Sequence, residues 1–442
     1  MPADEPVLVV GGGIGGLVLA RRLALGGRRV TVLEASDRWG GQLARHHVAG
    51  IDLDAAAESF ATRGGVVATL LDELGLAQEV VLPATGPAWL HRADGTAVPL
   101  PATGLLGIPG DPAAADVVRA VGRRASWRAR LDTVLPAAVG SDASSLGDLV
   151  RRRMGRGVLD GLVAPVVRGV HSRDPGALPV EAASPRLRTE LRAQGSLAGA
   201  VRALRAAAPA GSAVAGLRGG LFRVVDALTD ACASLGVTLR TGVRVERVWP
   251  TQVAAGGRTY RGQVVLAAPD PTPGTGADRA AGAGGATYGR PAAPGAGARR
   301  LTLVTLVVAA PGLDAAPRGT GLLVAAGAPN VRARALTHVS AKWSWVAAAL
   351  PGLHVLRLSY DGTLDDSPAA VRARAVADAQ VLLATVVERV VDDAVGRWAR
   401  PVGGVLGTRD DGLPMVGETA AGTGLAAVVD HAERTARALL GR

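Results

Sequence analysis

Cysteine occurs once, lysine once, and aromatic side chains make up only 3% of the 442 residues. A single cysteine, Cys232, excludes an intrachain disulfide and any thiolate metal cluster, and it fits a reducing cytoplasm. With seven Trp, three Tyr and two Phe there is little on which to stack bases, which argues against single-stranded nucleic acid as a partner. No apolar run reaches the length of a spanning helix. The first apolar run follows Asp4 and Glu5, where a secretory segment is basic, so no signal peptide is expected. The histidines show no metal-ligand spacing, so no metal is expected, and no internal repeat is visible.

Glycine, alanine, valine, leucine and arginine fill the space left. The formal charge is +11, and Lys342 is the only lysine. The arginines are scattered among Ala and Gly without a nucleic-acid fold signature, so no nucleic acid is expected; compositional bias is the plain reading and an acidic partner the second. The length suits two or three domains with cores of Val, Leu and Ala.

Pro6 to Val10 is an apolar run entering a glycine cluster, Ile14 to Leu25 reads as a helix, and Arg29 to Leu33 is apolar again. Strand, turn, helix and strand make the opening βαβ unit of a doubly wound sheet. Gly11, Gly13 and Gly16 fit G-x-G-x-x-G, flanked by Gly12, Ile14 and Gly15. The first glycine permits the turn, the second a close pyrophosphate, the third the packing of helix on strand. The helix N-terminus then faces the phosphates. Glu34, about 20 residues on, suits the ribose hydroxyls, with Ala35 beside it. Arg38, Trp39, Gly40 and Gly41 follow at once, and a second glycine pair there points to FAD rather than a nicotinamide nucleotide.

Further along, Leu221 to Leu235 has helical spacing, followed by strands at Val237 to Arg240, Val243 to Val248 and Gln263 to Ala268. Gly417 to Gly424 is glycine-rich and leads at Leu425 into a helix whose N-terminus suits the flavin ring; the plainer reading is a packing helix. The middle of the chain reads as insertions. The first has a strand at Ala97 to Pro101 and a basic helix at Ala113 to Arg130. The second has strands at Leu301 to Ala309, Leu322 to Ala325, Val331 to Thr337 and His354 to Tyr360, then a helix from Ala369 to Val395. Pro269 to Arg299 holds almost only small residues and is expected to be a mobile loop.

The fold expected is α/β, with a discontinuous Rossmann-type FAD-binding domain (1–82, 212–268 and 396–442), an inserted α+β substrate domain (83–102, 178–211 and 300–395), a helical and membrane-facing subdomain (103–177) and the loop 269–299.

The blocks Val9 to Gly16, Leu33 to Leu43, Asp54 to Arg63, Gly95 to Pro112 (GTAVPLPATGLLGIPGDP), Leu162 to Pro175, Arg218 to Leu228, Val243 to Pro269 and Ala333 to Tyr360 (with THVSAKW) carry a resemblance. With the C-terminal GTGLAAVV they resemble the porphyrinogen oxidases, monoamine-oxidase-like flavoproteins, and above all the bacterial coproporphyrinogen III oxidases. The resemblance implies three flavin cycles that take six electrons from a tetrapyrrole, with oxygen as acceptor, in haem biosynthesis. It implies a cytoplasmic protein, soluble or attached peripherally to a membrane. It also implies that Val245 pairs with the adenine, that Trp398 approaches the flavin, and that Ala57, Glu58 and Ser59 line its far side. Gly417, Gly422, Thr423, Gly424 and Leu425 complete the FAD contacts.

Three departures stand out. Ala56 occupies a position usually glycine, the Gly/Ala/Pro stretch replaces a helix after Pro269, and a Pro-Gln-Tyr segment with a further helix is missing between Trp398 and Gly417. Protoporphyrinogen IX as substrate, an amine oxidase or desaturase on the same fold, and a catalytically silent flavin-binding paralogue therefore stay open.

Lys342, in the THVSAKW block, is the candidate catalytic residue, holding a water or a propionate; a solvated lysine is the alternative. His171 and Arg168, in RGVHSRDP, are candidate substrate residues, against a surface role. The arginines of the basic helix, at 119, 123, 124, 128 and 130, suit an anionic membrane or a tetracarboxylate substrate, against a solvated face. Oligomeric state is not legible.

Overall fold

The computed structural model describes residues 5–171, 173–207, 214–268, 286–287, 298–362, 364, 367–401 and 412–441. Most of the expected 269–299 loop, and residues 402–411 of the shortened segment, lie outside them. The chain divides into two compact units: Met1–Leu82, Ser212–Leu301 and Gly396–Arg442 form one, Pro83–Gly211 and Thr302–Val395 the other.

The first unit is α/β. Strand β1 (Val7–Val10) is apolar at every position and buried on both faces, as a central parallel strand requires. Helix α1 (Ile14–Leu25) carries it to β2 (Val30–Leu33), α2 (Arg223–Ser234) leads to β3 (Thr238–Arg240), and β4 (Gln263–Leu266) completes the sheet in the order β3-β2-β1-β4, all parallel. Alternation along β1 feeds two cores. Val7 and Val9 meet α1, α2 and the C-terminal helix α3 (Leu425–Leu439). Leu8 and Val10 meet an antiparallel layer built on Val245–Trp249 and Gln252–Ala255. Met415 adds a parallel bridge to Leu266 at the far edge.

The second unit contains a mixed seven-stranded sheet in the order Arg389–Pro401, Ala298–Ala309, His354–Asp361, Ala335–His338, Gly321–Val324, Trp89–His91, Ala97–Pro99. Helix Pro368–Leu383 packs on it through Val371, Ala375, Ala379 and Leu382. A helical cluster holds a fully buried ion pair, Arg153 to Asp132 at 2.5 Å, and Asp132 also accepts from the Leu197 and Ala198 N–H groups.

Several boundaries differ from expectation. The helix expected through Val395 stops at Leu383, where Ala384 takes the left-handed conformation, and Arg389 onward is strand. The β-branched Val386, Val387, Val390 and Val391 favour that outcome. The basic helix is two, Ala115–Val121 and Arg123–Arg130, parted by Gly122 at φ +83°. The strand expected from Val331 begins only at Ala335, and that from Ala97 ends at Pro99.

Candidate functional site

The three glycines of the first turn answer different demands. A Cβ on Gly11 (φ +112°) would sit 2.8 Å from the Ala267 carbonyl carbon, and one on Gly16 only 2.1 Å from the Gly11 oxygen. Both clashes are internal to the fold. Around Gly13, by contrast, nothing lies within 4 Å of an added Cβ, although it is the N-cap of α1. No side chain caps α1 and its first turn holds no acidic residue, so no side chain of the N-cap or first turn answers its first N–H groups and dipole end. This is the cradle a phosphate group requires.

A second turn closes on the first. Gly40 N–H donates to the Gly12 carbonyl at 2.8 Å, Gly13 and Gly40 form a parallel bridge, and a Cβ on Gly41 would lie 3.4 Å from Gly13 Cα. Glu34 joins the two turns: Oε2 accepts from Gly12 N–H at 2.7 Å and Oε1 from Ser36 N–H at 2.8 Å. Ala35 is exposed beside it. Arg38 donates to the Gly41 carbonyl and lies over the Trp398 ring, 5.6 Å from its centroid. The Trp398 Nε1 is buried and has no hydrogen-bond partner among the described residues. The Trp39 ring packs so close to Gly12 that a Cβ there would be 2.3 Å from it.

Asp54 was not singled out by sequence reasoning. It accepts from the Leu221 and Phe222 N–H groups at 2.9 and 3.0 Å and so sets the start of α2, whose Val225 backs Gly40. A second aspartate closing the alternating strand Ile51–Asp54 was the available signal. Ala57, Glu58 and Ser59 follow between Ile51–Asp54 and Phe60–Ala61, Ala57 exposed and the others half-buried. On the other side of Glu34, Val243 N–H donates to the Glu34 carbonyl at 2.9 Å, and Val245 opens the next strand.

The C-terminal glycines reach the same turn. A Cβ on Gly15 would be 3.0 Å from Gly417 Cα, and Val416 N–H donates to the Leu266 carbonyl at 2.8 Å. After Gly422 and Thr423, Gly424 (φ +107°) is the N-cap of α3, which Leu425 begins; α3 too has no side-chain cap and no acid in its first turn. The first unit thus gathers Gly11 to Gly16, Glu34, Gly40, Gly41, Gly417 and, through Arg38, Trp398.

The remaining candidates lie in the second unit. Lys342 ends the short helix Val339–Lys342, its Nζ 5.0 Å from the Trp343 ring centroid, while its carbonyl accepts from Ala84 N–H. Arg168 pairs with Asp174 at 2.7 Å, and its carbonyl accepts from Arg334. His171 closes helix Ala164–His171; its side chain lies outside the described residues. A hydrogen-bonded chain running from buried His338 to exposed Asp314 carried no sequence signal: His338 Nε2 lies 3.1 Å from His354 Nδ1, and His354 Nε2 lies 3.0 Å from Asp314 Oδ1. Burial, aided by His354, pushes the His338 pKa down to about 4. Among the described residues no cluster of three His, Cys, Asp or Glu could hold a metal ion, and no helix is long and apolar enough to cross a membrane.

Comparison with known proteins gives one family match, described as flavin containing amine oxidoreductase, over residues 14–271. A coproporphyrinogen III oxidase of Mycobacterium tuberculosis strain H37Rv is 32% identical over 412 residues, spanning 88% of this chain and 85% of the relative. A crystal structure from Exiguobacterium sp. 255-15, of a protein provisionally named protoporphyrinogen oxidase, matches with a TM-score of 0.79 at 19% identity, covering 99% of this chain and 98% of that one. Putrescine oxidase bound to putrescine matches with a TM-score of 0.68 at 16% identity, covering 99% of each chain. At those identities the two structures speak to the fold alone.

Proposed function

The chain belongs to the flavin-containing amine oxidoreductases, and from that premise we propose that it oxidises a porphyrinogen on bound FAD, coproporphyrinogen III to coproporphyrin III, with oxygen as acceptor, in haem biosynthesis. The likeness to a coproporphyrinogen III oxidase over 88% of the chain carries the substrate. The open cradle at Gly13, where the other two motif glycines are filled by the protein itself, supports the cofactor.

The residues present fit FAD. The uncapped N-terminus of α1 meets the pyrophosphate, with Gly13 and Gly41 leaving it room. Glu34 accepts from Gly12 N–H on Oε2 and from both Ser36 N–H and Ser36 Oγ on Oε1, which leaves an Oε2 lone pair for a ribose hydroxyl. Val245, which opens the strand just after the Val243 N–H bond to the Glu34 carbonyl, takes the adenine side. The N-terminus of α3 offers a second positive dipole end, suited to the electron-rich edge of the ring system. Trp398 contributes a buried donor without a protein partner among the described residues.

When bound, FAD supplies a two-electron acceptor, and three rounds account for the six electrons and six protons that separate porphyrinogen from porphyrin. The protein's part is to orient and to exclude water, since each hydride lost from a meso carbon is matched by a proton released from a pyrrole nitrogen. The fourth meso hydrogen moves to nitrogen in the final tautomerisation, leaving the two N–H groups of the porphyrin. Lys342 holds a water or a propionate, and Arg168 and His171 contribute to the substrate side.

Aerobic turnover tests this reading. Purified protein loaded with FAD should convert coproporphyrinogen III to fluorescent coproporphyrin while consuming three oxygen molecules per porphyrin. Faster turnover of protoporphyrinogen IX would move the substrate to that neighbour. Bound FAD with no turnover of either porphyrinogen, and none of an amine, would mean a silent flavin-binding paralogue.

A further inference from the structure

The helix Ala164–His171, which carries both candidate substrate residues, is held by a side chain from far along the sequence. It continues from Arg156 through a π turn at Leu159–Val163, a geometry that recurs at functional sites. Gly169 lets it press on the sheet, since a Cβ there would lie 2.5 Å from the Leu323 side chain. Leu322 joins the core beneath helix Pro368–Leu383, so Leu323, one residue on, brings Ala164–His171 to the opposite face.

The last four carbonyls of a helix have no partner within it. One of them, that of Arg168, accepts from Arg334 Nη1 at 2.9 Å across 166 residues of sequence. The Arg334 side chain is only 14% exposed, and it sets a full positive charge at the negative end of the helix dipole. Asp361, more than half exposed and 3.6 Å away, is the weaker contact. Arg334 is itself fixed: its N–H donates to the Ser359 carbonyl at 2.8 Å and its carbonyl accepts from Val324 N–H at 2.9 Å. The two residues before it are pinned by helix Pro368–Leu383, where fully buried Asp378 accepts from the Arg332 and Ala333 N–H groups at 3.2 and 2.9 Å. Past the helix end, Asp174 takes the Arg168 side chain at 2.7 Å and caps the next turn through Gly176 N–H. Arg168 is thus held at both ends, by its carbonyl and by its guanidinium.

We infer that Arg334 is a positioning residue: through the Arg168 carbonyl it sets where Arg168 and His171 stand for the carboxylates of the tetrapyrrole. The inference rests on the porphyrinogen reading above. A helix end that only needed satisfying would use water or a glycine turn. A buried guanidinium, braced on two strands and a second helix, suits groups that must be placed within about 0.5 Å. Coproporphyrinogen III carries four carboxylates and protoporphyrinogen IX two, so loss of the brace weighs more on the first.

Two measurements on the FAD-loaded full chain test it. Arg334→Met should speed amide hydrogen exchange at the end of helix Ala164–His171 about tenfold, a readout that needs no substrate. It should also raise KM for coproporphyrinogen III about tenfold with kcat within about two-fold, and raise KM for protoporphyrinogen IX less. Arg334→Lys keeps the charge and a donor and should restore most of the KM; it also carries the test should the Met variant fail to fold. In a chain already lacking both candidate side chains (R168M, H171A), which keeps the Arg168 carbonyl, Arg334→Met should add nothing to KM. A parent that turns over coproporphyrinogen III while Arg334→Met leaves exchange or KM unchanged overturns the inference. So does a KM rise of undiminished size on top of R168M and H171A, which would make Arg334 a structural cap alone. A parent that binds FAD yet turns over no porphyrinogen overturns the porphyrinogen reading, and this inference with it.

Discussion

Glu34 ties together two turns by reaching back 22 residues, accepting from Gly12 with one oxygen and from Ser36 with the other. On the proposed reading Glu34→Gln keeps the shape and loses the charge, so the FAD dissociation constant should rise roughly 10- to 100-fold, the range of a charge-assisted hydrogen bond. The glycines allow a sharper contrast. Gly16→Ala places a methyl 2.1 Å from the Gly11 oxygen and should abolish the fold, whereas Gly13→Ala meets no protein atom within 4 Å. The Gly13 variant should therefore melt like the parent without cofactor and bind FAD far more weakly, as calorimetry with and without FAD would read. His338 supplies a pH dependence. Its folded pKa of about 4 lies below the ordinary 6.5, so the unfolded chain binds the extra proton between those values. Stability is complete above about pH 6.5 and falls as the pH drops toward 4, by on the order of 3 kcal/mol. His338→Gln should flatten that acid limb in urea titrations at about pH 7 and pH 4.5.

At the scale of elements, local pattern was legible where one helix or strand decides its own fate. The apolar run Val7–Val10, the glycine turn and the 3.6-residue period of α1 and α2 fixed their elements within a few residues, as did the Gly424 start of α3. Ala384 to Val395 misled because alanine continues a helical pattern that the following valines, paired in a sheet, do not keep; tertiary pairing overrode local preference. Nor can a sequence read by period reveal a polar group spent inside. Asp132 looks like one more charged residue in the turn after a basic helix, yet with Arg153 it is fully buried and ties three segments together. Asp132→Ala should cost about 3–5 kcal/mol by leaving a buried guanidinium without its partner, measured by chemical denaturation.

At the scale of the whole molecule, the parallel sheet was legible from four apolar runs and their glycine turns. The mixed seven-stranded sheet was not, because the pairing that joins its two parts, Gly321–Val324 beside Trp89–His91, spans more than two hundred residues without a glycine turn or other local signal to mark it. The glycine turns gathered around Glu34 were readable for the same reason as the parallel sheet: steric demands on glycine leave a mark in sequence. The His338, His354 and Asp314 chain and the inward turn of Asp132 depend on packing and leave none.

The central claim, a porphyrinogen oxidised at a flavin, meets its most direct test without oxygen. FAD-loaded protein mixed anaerobically with coproporphyrinogen III should lose its oxidised flavin absorbance, with porphyrin appearing only as flavin is consumed. Bleaching by amines while coproporphyrinogen III and protoporphyrinogen IX leave the flavin oxidised would contradict it.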